Sequence, residues 1–106
     1  NVPGAPLINP VQFCGSSFGL KVRRHRLFES NIQLTGSVCN HKEQGRPVGV
    51  YGSMRDEIPS GGHTAKSIEE AREAMGIDWM LWGDLVEAIP PVYTYEIGKQ
   101  LMNWIA

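Results

Sequence analysis

Two cysteines and three histidines are the residues of this sequence that could act as nucleophiles or metal ligands. Cys39 and His41 are separated by a single residue, which invites a Cys–His pairing, although neighbours in sequence need not face each other. A nucleophilic cysteine would also need an adjacent base or an electropositive setting. With Cys14, His25 and His63 a zinc site can be imagined, but the spacing matches no familiar ligand pattern. No metal site is therefore expected.

A basic cluster lies between the two cysteines. Lys21, Arg23, Arg24 and Arg26 fall within six residues, whereas acidic residues crowd the C-terminal half. A local cationic edge suits contact with a phosphate backbone, and a solvated basic turn is the simpler alternative. The formal net charge of −1 argues against a non-specific DNA-coating protein, which would be strongly basic.

The composition is that of one small globular domain. The chain has 106 residues, of which 42% are hydrophobic and 20% charged. Its apolar runs are too short for a membrane-spanning helix, and its start lacks the features of a signal peptide. Two cysteines are few for a disulfide framework, so we expect a reducing, cytoplasmic setting. Motifs of the GxGxxG and Gly-x-Ser-x-Gly types are absent.

The elements that would position these residues are short in the first two thirds of the chain. We expect strands at 11–14 and 26–32, with a turn at 15–17 between them. Residues 33–66 contain many glycines and one short apolar run at 48–51, which predicts a loop-rich insert around one strand or hairpin. Such inserts often bind a ligand, and disorder is the alternative.

The last third predicts helices. Ser67 and Glu70 fit a capping box, and Gly76 is placed to end the helix that follows. Asp78 could cap a further helical turn over 79–81. The last helix is expected to open at Pro90-Pro91. One apolar stripe on it should pack against a neighbouring element, formed by Tyr93, Ile97, Leu101 and Trp104.

Four stretches, in this order, resemble one enzyme family over nearly the whole chain. They are residues 1–7, which begin Asn-Val-Pro-Gly; residues 13–29, with Val-Arg-Arg-His-Arg; residues 71–76, Ala-Arg-Glu-Ala-Met-Gly; and residues 87–98, with Ala-Ile-Pro-Pro. The family is that of the DNA cytosine-5 methyltransferases, particularly a phage-encoded branch. The chain resembles their C-terminal part.

The resemblance implies roles for individual residues. Arg24 and Arg26 match the two arginines of the family's Gln-x-Arg-x-Arg element, which hold the flipped cytosine and nearby backbone, while Val22 stands where glutamine is usual. Arg72 and Glu73 match a structural helix. Contact with S-adenosylmethionine would come from the first and fourth stretches, at Asn1, Ala88, Pro90 and Pro91, although Glu87 and Ala88 replace the usual Gly-Asn.

The resemblance also implies an architecture and a division of labour. The fold would be α/β: the end of a doubly wound, Rossmann-like methyltransferase sheet with the arginine element (1–32), a short target-recognition-like insert (33–66) and two C-terminal helices (67–106). The family's nucleophile lies in a Pro-Cys dipeptide, and neither Cys14 nor Cys39 follows a proline. Family members carry Glu-Asn-Val where this chain has Asn1-Val2, and that glutamate hydrogen-bonds the target cytosine. The nucleophile, the glutamate, the glycine-rich cofactor motif and most of the cofactor pocket would come from an N-terminal catalytic part, so this chain alone should transfer no methyl group.

The implied partners are double-stranded DNA and that N-terminal part, in the cytoplasm of a bacterial host and in the setting of phage or restriction–modification systems. Two alternatives remain open: a non-enzymatic DNA-binding module, and an inactive remnant that self-associates, for example as a homodimer.

Overall fold

The computed structural model of the chain describes residues 1–51 and 61–105. A 3-10 helix, Gly15–Phe18, lies among short strands and helices. In chain order these are β1 (Val11–Phe13), β2 (Arg26–Phe28), α1 (His41–Gln44), β3 (Val48–Gly49), β4 (His63–Thr64), α2 (Ile68–Met75), α3 (Trp82–Glu87) and α4 (Pro91–Ile105). The described residues therefore form a small mixed α/β fold, the class expected from the sequence. Part of the predicted 33–66 insert, residues 52–60, lies outside them, as does residue 106.

The strands pair as two separate two-stranded sheets. β1 and β2 are antiparallel, with Phe13 opposite Arg26, whereas β3 and β4 are parallel, with Val48 opposite His63. Both predicted N-terminal strands are present but shorter than expected. β2 ends at Phe28 rather than at residue 32, and the chain bends just beyond it.

A local side-chain contact accompanies the early end of β2. Ser30 Oγ accepts a hydrogen bond from the backbone amide of Ile32 at 3.1 Å. Serine hydroxyls that bond nearby backbone groups offer the chain an alternative to a strand ladder. The alternating pattern of residues 26–32 did not reveal this competition.

α2 begins and ends as its sequence predicts. Ser67 Oγ accepts a hydrogen bond from the Glu70 amide at 3.1 Å, and Gly76 follows the helix in the left-handed region at φ 70°. Glu70 reaches back one residue beyond the cap, accepting from the Lys66 amide at 2.8 Å. This backbone hydrogen bond, more than the neighbouring His63, lowers the pKa of Glu70. The buried face of α2 supplies Ala71, Ala74 and Met75 to the main hydrophobic core, which also includes Val22, Val48, Val50, Ala65, Ile77 and Leu85.

The prediction of a helical turn over residues 79–81, capped by Asp78, is wrong. Residues 77–81 are irregular, and α3 begins at Trp82, so the last third holds three helices rather than two. Arg72 Nε donates to the Met80 carbonyl oxygen at 2.8 Å, holding this connection against α2. That contact depends on tertiary structure and leaves no local signal in the sequence.

The prediction that the apolar stripe of α4 packs against a neighbouring element is confirmed only at the start of the helix. The ring of Tyr93 is fully buried in an aromatic cluster with Phe13 and Phe18, at centroid separations of 5.9 and 5.6 Å. Further along the helix, Leu101 is 42% exposed and Trp104 is 64% exposed. The C-terminal half of α4 thus carries apolar side chains that the described residues leave uncovered. None of the described helices combines the length and hydropathy required for a bilayer span.

Candidate functional site

The three arginines of the basic cluster lie in residues 22–26, an irregular segment that leads into β2 and that we call the arginine turn. It begins at the buried Val22, whose amide donates to the Ala74 carbonyl oxygen of α2 at 3.4 Å. On its other side the Gly15 amide donates to the Arg23 carbonyl oxygen at 2.6 Å. A Cβ atom at position 15 would overlap the carbonyl oxygen of Val22, so only glycine permits this approach. The turn is therefore clamped between the end of β1 and α2.

Arg24 is the structural centre of the arginine turn. Its backbone lies in the left-handed region at φ 38°, which non-glycine residues seldom adopt without support. The support is a set of hydrogen bonds from its guanidinium to four backbone carbonyl oxygens: Ala88 at 2.9 Å, Leu85 at 3.0 Å, Val50 at 3.2 Å, and Val86. Burial lowers the pKa of Arg24 to about 10, so the group is charged at neutral pH.

Arg23 and Arg26 are engaged less completely. Arg23 donates to the Gln44 side chain at 3.0 Å and to the Gly45 carbonyl oxygen at 3.1 Å, both at the end of α1. Arg26 donates from Nη1 to the carbonyl oxygen of its neighbour His25 at 2.7 Å. Within residues 1–51 and 61–105, no carboxylate forms an ion pair with Arg23, Arg24 or Arg26. Three positive charges therefore lie together without described acidic partners.

A groove of about 380 Å³ opens beside the arginine turn. Its walls include Pro3 from the N-terminal stretch, Arg23 and Arg26 from the turn, and Val50 and Tyr51 from the far side. Its volume lies within the range of small-molecule sites, and its lining mixes apolar surface with cationic groups. The groove could admit a planar or anionic group next to Arg26.

The four residues that the resemblance assigns to the cofactor lie in two places. Asn1 pairs with Leu27, whose amide donates to the Asn1 carbonyl oxygen at 2.6 Å. Ala88 and Pro90 lie between α3 and α4, where their carbonyl oxygens accept from Arg24 and from the Tyr93 amide, and Pro91 begins α4. In the described part of the chain no hydrogen bond joins Asn1 to these three. The backbone acceptors of Ala88 and Pro90 are used internally, and the side chain of Pro90 is fully buried, so neither residue offers a polar contact to a cofactor.

Four of the five cysteine and histidine residues converge on one point. We call Cys14, His25, Cys39 and His41 the Cys–His cluster; one ligand atom from each lies within 4.8 Å of all the others. The separations are 3.3 Å from Cys14 Sγ to His41 Nε2, 3.2 Å between the two Nε2 atoms, and 3.5 Å from Cys39 Sγ to His25 Nε2. The fifth residue, His63, lies apart, with Nε2 3.2 Å from Glu70 Oε2.

Three separate segments deliver these side chains. Cys14 follows β1, His25 lies in the arginine turn, and Cys39 and His41 flank the start of α1. The segment before α1 is brought back to β1 by Ser37, whose amide donates to the Gln12 carbonyl oxygen at 2.9 Å. Ser37 Oγ accepts from the Cys14 amide, also at 2.9 Å.

The protonation states within the cluster favour neutral imidazoles. Burial, then the neighbouring His41, lowers the pKa of His25, and burial followed by Arg23 lowers the pKa of His41. Both rings are therefore neutral at pH 7, the form that can bind a metal. Partial desolvation, then the neighbouring Cys14, raises the pKa of the exposed Cys39 thiol, so that sulfur lacks the setting of an activated nucleophile. Cys14 is fully buried, out of reach of a substrate in solution.

The sequence named every member of the cluster but did not predict that they meet. Of the familiar zinc patterns, none has these separations, 27 residues from Cys14 to His41 and 14 from His25 to Cys39. The local signal for the cluster is the close spacing of Cys39 and His41, which are separated only by Asn40. The expectation that this chain has no metal site rested on spacing alone, and spacing says little when ligands come from irregular segments.

The two residues that the resemblance assigns to a structural helix have structural contacts. Arg72 holds the connection after α2, as described above. Glu73 forms a salt bridge with Lys21, next to the arginine turn, with 2.7 Å between Glu73 Oε1 and Lys21 Nζ. Both partners of this pair are more than half exposed, so it contributes little stability.

Comparison with models of protein families, with curated proteins and with solved structures found no match for this chain.

Proposed function

We propose that this chain is the C-terminal portion of a DNA cytosine-5 methyltransferase, which transfers a methyl group from S-adenosylmethionine to cytosine when joined to its N-terminal catalytic part. One observation carries the proposal: the arginine turn and its flanks contact each of the other three stretches that resemble the family.

The contacts between the stretches are specific. The first stretch lies along β2 through the Asn1–Leu27 pair. The third meets the turn through the Val22–Ala74 hydrogen bond. The fourth accepts from Arg24 at Ala88, 64 residues further along the chain. Each contact supports a common arrangement of the four stretches around residues 22–26.

The two arginines that match the family's Gln-x-Arg-x-Arg element would have different roles. Arg24 uses its guanidinium on four carbonyl oxygens, so it is a positioning residue that fixes the turn against the α3–α4 connection. Arg26 donates one hydrogen bond among the described residues and lines the groove, so most of its five N–H donors remain for a ligand. Arg26 is therefore the better candidate for direct contact with a flipped cytosine or its phosphate.

The remaining chemistry would come from the N-terminal part. That part would supply the doubly wound sheet, the Pro-Cys nucleophile and the polar contacts to S-adenosylmethionine, with Asn1, Ala88, Pro90 and Pro91 closing the cofactor site from this side. The uncovered apolar half of α4 is compatible with a surface that another part of the protein covers. Double-stranded DNA would approach Arg23 and Arg26, which form no ion pair with a carboxylate within residues 1–51 and 61–105 and attract phosphate.

Methyl transfer tests the proposal. The complete polypeptide that contains this chain should transfer a labelled methyl group to cytosine in double-stranded DNA. The variant Arg26→Ala should lose most of that activity, and the matched control Lys99→Ala, whose ammonium pairs with Glu96, should retain it. A folded, complete protein that methylates no cytosine would refute the proposal.

The two alternatives give different results when this chain is purified and tested by itself. A non-enzymatic DNA-binding module would show salt-sensitive DNA binding by this chain, lost in the double variant Arg24→Ala, Arg26→Ala, without methyl transfer. A remnant would dimerise and ignore DNA at low salt. The exposed apolar face of α4 is the observation that favours self-association.

A further inference from the structure

We propose that Cys14, His25, Cys39 and His41 bind one Zn²⁺ ion in a tetrahedral Cys2His2 centre that holds the arginine turn in place. This site is separate from the proposed methyl-transfer function and stands whether or not that function is correct.

The geometry of the cluster matches tetrahedral zinc. With Zn–S bonds of about 2.3 Å and Zn–N bonds of about 2.05 Å, two nitrogen ligands lie about 3.3 Å apart, and a sulfur lies about 3.6 Å from a nitrogen. The separation of the two Nε2 atoms here is 3.2 Å. The two sulfur–nitrogen separations given above are 3.3 and 3.5 Å. Three of the six separations between ligand atoms therefore match a tetrahedral zinc centre, and the other three are no longer than 4.8 Å.

The donor set selects the metal. Two sulfurs and two imidazole nitrogens suit zinc, whereas Mg²⁺ and Ca²⁺ prefer oxygen ligands. Four protein ligands complete a tetrahedron and leave no position for water, which is the arrangement of a structural rather than a catalytic zinc site. With two thiolates the centre is neutral overall, so it can lie beside Arg23 and Arg26 without charge repulsion.

A second layer of contacts supports the sulfur of Cys14. The buried Ser16 hydroxyl lies 2.9 Å from Cys14 Sγ and also accepts a hydrogen bond from the Asn40 amide at 2.9 Å. The Ser16 hydroxyl can thus donate a hydrogen bond to a Cys14 thiolate while its oxygen accepts from the segment that carries Cys39. Outer contacts of this kind orient the ligands of metal sites.

The position of the site gives it a role. The metal would join the end of β1, the arginine turn and the start of α1, segments linked largely by irregular chain. His25 lies between Arg24 and Arg26, so a metal–nitrogen bond to His25 would fix the direction of both arginines. Small domains with limited cores commonly rely on such cross-links.

Metal analysis of the purified chain tests this proposal. The chain should be produced without a histidine tag in zinc-supplemented cells, kept reduced, and measured for zinc after gel filtration. We expect about one zinc per chain. Cys39→Ser and His41→Gln should each lose it, and the control His63→Gln should keep it. Cys39 is exposed and His41 half-buried, so these variants avoid the folding risk of changing the buried Cys14.

Cobalt provides a second readout. Replacing the zinc by Co²⁺ should produce the visible absorption of tetrahedral cobalt and a thiolate charge-transfer band in the wild type and in His63→Gln, but not in Cys39→Ser. Chelation should lower the Tm of the wild type by about 10 °C or more. Three results would overturn the proposal: a chain that purifies without zinc and gives no cobalt spectrum, a zinc content unchanged in Cys39→Ser and His41→Gln, or a Cys14–Cys39 disulfide that persists after treatment with a reductant.

Discussion

Replacing Arg24 by methionine should destabilise the fold far more than the same change at Arg26. Methionine retains an unbranched apolar stem in place of the aliphatic part of arginine and meets the same backbone strain at φ 38°, so the main loss is the guanidinium. The change removes the donors to four backbone carbonyl oxygens. An unsatisfied buried acceptor costs about 1–3 kcal/mol, and water will reach some of these oxygens because Arg24 is only half-buried. We expect a net loss of about 2–4 kcal/mol.

That loss is large for a domain of this size. Domains are stable by about 5–15 kcal/mol, and a change of 1 kcal/mol shifts the Tm of a domain of about 100 residues by about 4–8 °C. Arg24→Met should therefore lower the Tm by about 10–30 °C. Arg26→Met loses one hydrogen bond to its neighbour's carbonyl oxygen and should cost less than about 1.5 kcal/mol.

Thermal unfolding followed by circular dichroism measures this difference, with urea titration as an independent check. Arg24→Lys separates charge from geometry, because an ammonium keeps the charge but cannot bridge four carbonyl oxygens as a planar guanidinium does. It should show most of the loss. If Arg24→Met and Arg26→Met unfold at the same temperature, the role assigned to Arg24 as the anchor of the arginine turn is wrong.

Three further predictions can be checked by thermal unfolding. Gly15→Ala should unfold the chain at a markedly lower temperature because its methyl group overlaps a backbone carbonyl oxygen, whereas Gly98→Ala, in open space within α4, should stabilise it by about 1 kcal/mol. Tyr93→Phe removes the hydroxyl that donates to the carbonyl oxygens of two arginine-turn residues at 2.8 and 3.1 Å, and should cost about 1–2 kcal/mol. The pKa of Glu70 is lowered below 4.5, chiefly by a backbone amide, so its stabilisation is present above that pH and lost as the pH falls through the lowered value. The Tm difference between wild type and Glu70→Gln should therefore shrink on acidification, and a difference independent of pH would contradict the assignment.

The parts of the fold that sequence predicted well are those with local causes. The cap at Ser67, the left-handed Gly76 and the proline at the start of α4 each act within one helical turn, so their residue types are sufficient to recognise them. The start of α3 was misplaced because the Arg72–Met80 contact acts across a gap between elements.

The candidate site depended on contacts that sequence pattern does not encode. Arg24 and Arg26 both belong to the basic cluster, but only the folded chain distinguishes an arginine used by four carbonyl oxygens from one that lines a groove. The Cys–His cluster forms because Ser37 returns an irregular segment to β1. A long-range contact between irregular segments leaves no periodic pattern in the sequence from which it could be predicted. The apolar stripe of α4 likewise predicted a buried face, whereas the described residues leave Leu101 and Trp104 exposed.

The central claim is that this chain is the C-terminal portion of a cytosine-5 methyltransferase, and sequencing the coding DNA upstream of the Asn1 codon tests it most directly. The proposal predicts an uninterrupted frame with a glutamate codon immediately before Asn1, and further upstream a Pro-Cys dipeptide and a glycine-rich motif. The proposal would be contradicted by a different residue before Asn1, together with the absence of an encoded Pro-Cys dipeptide and glycine-rich motif both in that reading frame and in a neighbouring gene.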